Sequence, residues 1–257
     1  MKTFVSKGII CVRSRFDLVY AVCKISYIYS SDDTFEYVFE PNYPIIELLD
    51  SSVFQGIPGL NLDLREKEYI RKNKTPTFIS ERVPSDNRED YAELLDKVKM
   101  DYMDPIEYLI RCKEQYSGDS LFVVPFYKKS KVIFDGQHSN LTNSAFFKSI
   151  LVNICLGNDV VIGGQIINDD NRKCFHDVFL ALYSRSRENM VNSQRKGIQQ
   201  AKKSGVYKGR KPIPVDELLF CDMLSKVEKG EISPKVAAEK MGISIDKYYR
   251  FKKTLQK

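Results

Sequence analysis

Near the start of the chain, apolar and polar positions alternate with the two-residue period of half-buried strands. The runs are Gly8-Ile-Ile-Cys-Val12, Leu18 to Tyr29 and Thr34 to Phe39, with the turn residues Ser30-Ser-Asp-Asp33 between the last two. This predicts a small antiparallel sheet. Pro41 to Pro58 shows no period and reads as irregular. From Asn87 to Val98 and from Pro105 to Cys112 the period lengthens to that of helices, with Asp86 or Asn87 as a cap and Tyr91, Leu94, Leu95 and Val98 facing inward. Further on, Gly118 to Val124 reads as a strand, Ser144 to Leu156 as a helix and Asp159 to Ile167 as the next strand.

The longest helical pattern follows. Phe175, Val178, Phe179, Leu182, Met190 and Ile198 recur at mostly helical spacing, and Arg185, Arg187, Arg195, Lys196, Lys202 and Lys203 lie between them. At Gly205 and Gly209 the pattern stops, and Tyr207-Lys208-Gly209-Arg210-Lys211-Pro212 offers no face for a core, so it reads as an extended basic arm. Ile213 to Lys257 reads as three helices. The first, Val215 to Lys229, carries Leu218, Leu219, Met223, Leu224 and Val227 on one face and ends at Gly230. Ser233-Pro234 supplies an N-cap and a first-turn proline for the second, Gly242 ends it, and Ser244 caps the third, Ile245 to Leu255. A helix, a tight glycine turn and a second helix make a helix-turn-helix, whose last helix would expose Lys247, Tyr248, Arg250, Lys252 and Lys253.

Charge gives this half a partner. The net charge of +6 is modest, but most of the surplus lies from Arg185 onward, which points to an anion bound at the C-terminal end. Guanidinium groups on a Gly- and Pro-bearing arm suit the narrow, negative minor groove of A·T-rich DNA. Six cysteines are scattered without a CxxC pair, and His138 and His176 are the two histidines; this argues for free thiols in a reducing, cytoplasmic compartment and against a zinc site. The start of the chain enters strand-like sequence without a signal-peptide pattern, and the most apolar stretch, Ser149 to Ile167, is broken by Asn153, Gly157, Asn158 and Asp159, so no membrane span is expected. Neither GxGxxG nor a P-loop is present, and no cofactor is expected.

The run Arg187-Glu188, Gln194-Arg195-Lys196-Gly197-Ile198, Ala201-Lys202 and Gly205-Val206-Tyr207-Lys208-Gly209-Arg210-Lys211-Pro212, closed by the helix-turn-helix, resembles the C-terminal part of resolvase/invertase-type serine recombinases over residues 172–257. The resemblance implies a long helix that dimerises and crosses DNA, an arm in the minor groove and a terminal module in the major groove. It makes Arg195, Lys202, Lys203, Tyr207, Lys208, Gly209, Arg210, Lys211, Ser244, Lys247, Tyr248, Arg250 and Lys252 the expected DNA-binding residues. Residues 17–125 resemble more loosely the N-terminal subdomain of HipA-type toxin kinases, through the strand hairpin, Pro76-Thr77-Phe78-Ile79-Ser80-Glu81-Arg82-Val83-Pro84, Leu109-Ile110-Arg111 and Ser117-Gly118-Asp119-Ser120-Leu121. That likeness implies an interaction module without the kinase core, able to recruit a toxin kinase or another protein.

The recombinase family needs a serine nucleophile among arginines that stabilise the attacked phosphate. Here the arginine-bearing segment is replaced by Phe126-Tyr127-Lys128-Lys129-Ser130-Lys131, and the Glu-Arg pair of the long helix by Asn192-Ser193. Arg13-Ser14 follows a strand, but its order and following residues differ from the family's Arg-x-Ser, so Ser14 is the sole nucleophile candidate and competes with an ordinary strand-end serine. The expectation is an α+β N-terminal interaction domain (1–116), an α/β recombinase-like segment with a long dimerisation helix (117–203) and an all-α three-helix helix-turn-helix module preceded by its arm (204–257). Together they describe a homodimeric, nucleoid-associated bacterial protein that binds double-stranded DNA by sequence, without strand-exchange chemistry. The alternatives are an active recombinase or invertase and the DNA-binding component of a HipA-like toxin–antitoxin system.

Overall fold

The computed structural model describes residues 3–32, 34–112, 116, 118–134, 143–206 and 215–255. The chain divides into two compact units, Met1–Val191 and Asn192–Lys257, and the boundary falls inside one continuous helix. It is a mixed α+β protein, with an antiparallel sheet toward the N-terminus and a helical C-terminal part.

In the first unit, strands β1 (Thr3–Arg13), β2 (Val19–Ser30), β3 (Phe35–Pro41), β4 (Tyr69–Lys72) and β5 (Leu121–Pro125) form an antiparallel sheet in the order β4-β3-β2-β1-β5. The alternation expected near the start of the chain is realised in β1 to β3, and one face carries the main core of Ile10, Val12, Val22, Ile25 and Phe39, all fully buried. Each such side chain contributes about 1.5–3 kcal/mol by leaving water. Opposite Ile10 and Cys11 the register skips Val22, because Ile10 pairs with Cys23 but Cys11 with Ala21. This bulge shifts the phase of β2, so that Tyr20, Val22, Cys23 and Ile25 all reach the core while Lys24 takes the opposite face.

Short helices α1 (Tyr43–Ile46), α2 (Thr77–Ser80), α3 (Tyr91–Lys97) and α4 (Pro105–Arg111) occupy the connections. Helix α1 lies in the stretch expected to be irregular. Helix α3 begins after Asp90, not after Asp86 or Asn87; Asp90 caps none of its N–H groups and is paired with Arg88 through two bonds at 2.8 Å. Helix α4 has the stronger cap: Asp104 accepts from the backbone N–H of Ile106 and Glu107 and from the Ser6 hydroxyl. Gly8 is required beneath it, since a Cβ there would lie 2.6 Å from Val123 and 3.0 Å from Ile106.

The strand expected after Gly118 forms, but as β5 it is the edge strand beside β1. The next stretch builds a second sheet of β6 (Lys131–Phe134), β7 (Asp159–Ile162) and β8 (Gln165–Ile167), with β6 and β7 parallel and separated in sequence by helix α5 (Asn143–Cys155). The single strand expected from Asp159 to Ile167 is therefore a hairpin. Gly163 and Gly164, at φ +54° and +84°, supply the left-handed turn that splits it. Leu151 and Cys155 of α5 enter the same core as β1 and β2, so residues on both sides of position 116 share one interior.

The long helix α6 runs from Arg172 to Lys203, and its first turns are locked by Arg172 itself. That side chain is fully buried and donates to the carbonyls of Ile154 (3.1 Å), Gly157 (3.3 Å) and Asn158 (2.8 Å) and to Asp169 (2.9 Å). A planar cation so placed satisfies the carbonyls left over where α5 ends and opposes the negative end of its dipole.

In the second unit, residues 215–255 form α7 (Glu217–Glu228), α8 (Pro234–Lys240) and α9 (Ile245–Leu255) around Phe220, Met223, Ala237, Ala238, Ile243 and Tyr248. The starts are capped: the Asp216 carboxylate accepts from Leu218 and Leu219 N–H, and Ser233 accepts from Val236 N–H. The buried face of α7 is set by Phe220, with Met223, Leu224 and Val227 following at helical spacing. Leu218 is 85% exposed and Leu219 42%, so those two lie off the face on which the sequence pattern placed them.

Candidate nucleic-acid interface

Helix α8, the turn at Gly242 and helix α9 are shaped by local chemistry. Ala237 and Ala238 are small enough to seat α8 closely in the core. Gly242, at φ +63°, lets the backbone turn, with its N–H donating to Glu239 O and that of Ile243 to Ala238 O, both at 3.0 Å. The buried Ile243 side chain pins the turn, and Ser244 then caps α9 by accepting from Lys247 N–H at 3.3 Å.

The phase of α9 decides which side chains face outward. Tyr248 is only 1% exposed and packs on Phe220, with ring centroids 5.2 Å apart; Phe251 flanks the same ring at 4.9 Å. Tyr248 therefore belongs to the core, which corrects its expected place on the exposed side. Its neighbour Tyr249, 54% exposed, stands there instead, together with Ser244, Arg250 and Lys253. Lys247 and Lys252 lie half-buried at the flanks, and Lys252 reaches Glu228 at 3.7 Å. Tyr249 was missed because two adjacent tyrosines look alike in sequence. The apolar Phe251, three residues after Tyr248, is the signal that separates them.

Along the distal turns of α6, Arg195, Lys202 and Lys203 are exposed, as are Lys196 and residues 192–200 generally. From 192 to 203 the helical wheel places Arg195, Lys196, Gln199, Lys202 and Lys203 on one side and Gln194, Gly197, Ile198 and Ala201 on the other. One side of this segment is thus strongly basic. Tyr207, Lys208, Gly209, Arg210 and Lys211 lie outside the described residues.

Ser14 sits in the β1–β2 turn. Its N–H donates to Leu18 O (2.9 Å), its carbonyl accepts from Asp17 N–H (3.0 Å) and its hydroxyl accepts from Phe16 N–H (3.4 Å). Nearby, Arg13 pairs with Asp17 and Arg15 lies over the Phe16 ring at 4.9 Å. Lys129 is engaged by Asp159 (3.2 Å) and Asp169 (2.9 Å), and Asn192 and Ser193 are exposed on α6. Among the described residues no group of three or more His, Cys, Asp or Glu side chains could hold a metal ion, and no helix is long and apolar enough to cross a membrane. Comparison of the chain with family models, with curated proteins and with solved structures finds no match in any of the three.

Proposed function

We propose that this chain is a sequence-specific, duplex-DNA-binding protein of recombinase descent that no longer exchanges strands. The observation that carries the reading is the outward face of α9. Its N-terminus is fixed by the Gly242 turn and the Ser244 cap, and its exposed side presents Asp246, Tyr249, Arg250 and Lys253. A helix end that projects hydrogen-bonding and cationic side chains after a tight turn is suited to a major groove as a helix-turn-helix recognition helix. The basic side of α6 over residues 192–203 would add phosphate contacts, which position without reading sequence. The first unit would serve a partner, with a toxin kinase as the candidate that the sequence resemblance suggests.

Strand exchange is not expected of this chain: Ser14 is held as a turn residue, and lysine and neutral side chains stand where the resemblance calls for arginine. Filter binding across a salt series tests the binding reading. If α6, the arm and α9 together neutralise about 6–8 phosphates per subunit, log affinity falls with log salt with a slope near that number. A slope near zero overturns it. Incubation with a supercoiled two-site plasmid tests the chemistry: a covalent protein–DNA adduct that vanishes in Ser14→Ala would replace this reading with an active recombinase.

A further inference from the structure

The sheet has a second face, and its composition differs from the first. Because of the bulge at Val22, Lys24 shares this face with Ile9, Cys11 and Ala21, and β5 adds Phe122 and Val124. Just past β5, Phe126 is 38% exposed, with the ammonium groups of Lys7 and Lys24 at 5.8 and 5.7 Å from its ring centroid. Arg13 stands over Phe122 in the same way, at 5.7 Å. A cavity of about 420 Å³ opens beside Phe126, with Lys24, Glu40, Asn42, Lys128 and Gly157 among its walls.

We propose that this cavity binds a nucleotide, its base stacked on Phe126 and its phosphate meeting the ammonium groups of Lys128 on the wall and of Lys7 beside the ring. Three features select that ligand over other anions. Among the described residues lining the cavity, Lys24, Lys128 and Lys129 outnumber one carboxylate, Glu40; Glu40 is paired with Lys24, and Lys129 with Asp159 and Asp169, which leaves Lys128 for the phosphate. An exposed aromatic ring set among lysines offers a flat anionic ligand a stacking surface and charge compensation at once, which an acidic peptide would use only in part. Asn42 at the wall supplies an amide, both donor and acceptor, for base edges. The site lies wholly within the first unit, so it stands or falls independently of duplex binding by α9.

The test exploits the absence of tryptophan from the chain. In the full-length Phe126→Trp protein, the lone indole reports on stacking at that position. Short single-stranded oligothymidylate and adenosine monophosphate are titrated separately, with a duplex of equal charge as control. The expected result is saturable quenching by one or both single-stranded ligands and none by the duplex. Quenching by the mononucleotide alone marks a free-nucleotide site, and quenching that needs the oligonucleotide marks a strand-binding site. In parallel, anisotropy of the labelled ligand with Phe126→Leu should show about tenfold weaker binding, the scale of one lost base–aromatic stack. Lys7→Ala with Lys128→Ala should flatten its salt dependence. Absence of quenching, or unchanged affinity in Phe126→Leu, overturns the proposal, as does equal binding of polyglutamate.

Discussion

The Tyr20 hydroxyl and His176 Nε2 lie 2.9 Å apart in the interior, tying the second strand of the sheet to the first third of the long helix. Burial pushes the Tyr20 phenol well above its ordinary range, so it stays protonated. Nδ1 of the His176 ring lies 3.1 Å from the Asp177 carboxylate. Tyr20→Phe leaves a buried ring nitrogen without a partner and should cost about 1–3 kcal/mol in denaturant unfolding. The double variant with His176→Phe should lose clearly less than the sum of the two single losses. Strict additivity would show that the contact carries no coupling.

Much of the first unit could be read from the sequence where the cause was local. Strands β1 to β3 alternate because one face is buried, and α4 carries its Asp104 cap and first-turn proline in its own residues. What failed was long-range. Tyr69-Ile-Arg-Lys72 has no strand signature of its own and forms β4 because β3 offers it a register from Glu36 to Phe39. Leu121–Pro125 was legible as a strand, but nothing within it names β1 as its neighbour. An apolar run hid the hairpin at Gly163-Gly164, and no pattern announces that Arg172 will be interior. In the C-terminal module the elements were legible while the rotation of α9 was not, because Tyr248 and Tyr249 differ only in phase.

The Tyr248 hydroxyl is buried without a hydrogen-bond partner among the described residues, so the ring contributes by packing and the hydroxyl does not. Tyr248→Phe should hold or raise the melting temperature of the second unit, since an unsatisfied buried polar group costs about 1–3 kcal/mol. Tyr248→Ala should lower stability by about 3–5 kcal/mol, the usual range for deleting a core aromatic. If Tyr248→Ala folds normally and alters only base preference, the ring is a reader of DNA and not a core residue.

Thiol chemistry should divide the cysteines. Cys174 and Cys221 are exposed, whereas Cys11, Cys23 and Cys155 are buried. Burial raises both Cys11 and Cys155 from 9.0 to about 12, the rise at Cys155 being partly offset by Tyr20 and Arg172. A maleimide under native conditions should label Cys174 and Cys221 quickly and the buried three only after unfolding. The folded state holds the buried protons more tightly than the unfolded chain does. Their contribution is therefore full below about pH 9 and is lost as pH rises from 9 toward 12. Alkaline unfolding at constant salt should show this fall, and Cys11→Ala should make it shallower. Rapid native labelling of Cys11 would contradict its buried place.

Dimerisation is the last expectation, and the structure changes which residues would carry it. Of the stripe Phe175, Val178, Phe179 and Leu182, the two phenylalanines pack against the cores of the first unit. Val178 and Leu182, 50% and 40% exposed, lie one turn apart on the outer side of α6. A two-fold interface through that ridge would bring two copies of the C-terminal module to one duplex, and linkage of two weak sites raises affinity without new contacts. Leu182→Asp should then sediment as a monomer, keep its melting temperature and bind a full site on the order of 100-fold more weakly, with base preference unchanged. Phe179→Asp is the contrasting variant, because it places a charge against a packed core and should unfold the first unit. Leu182→Asp protein that remains dimeric at the same concentration would move the interface elsewhere.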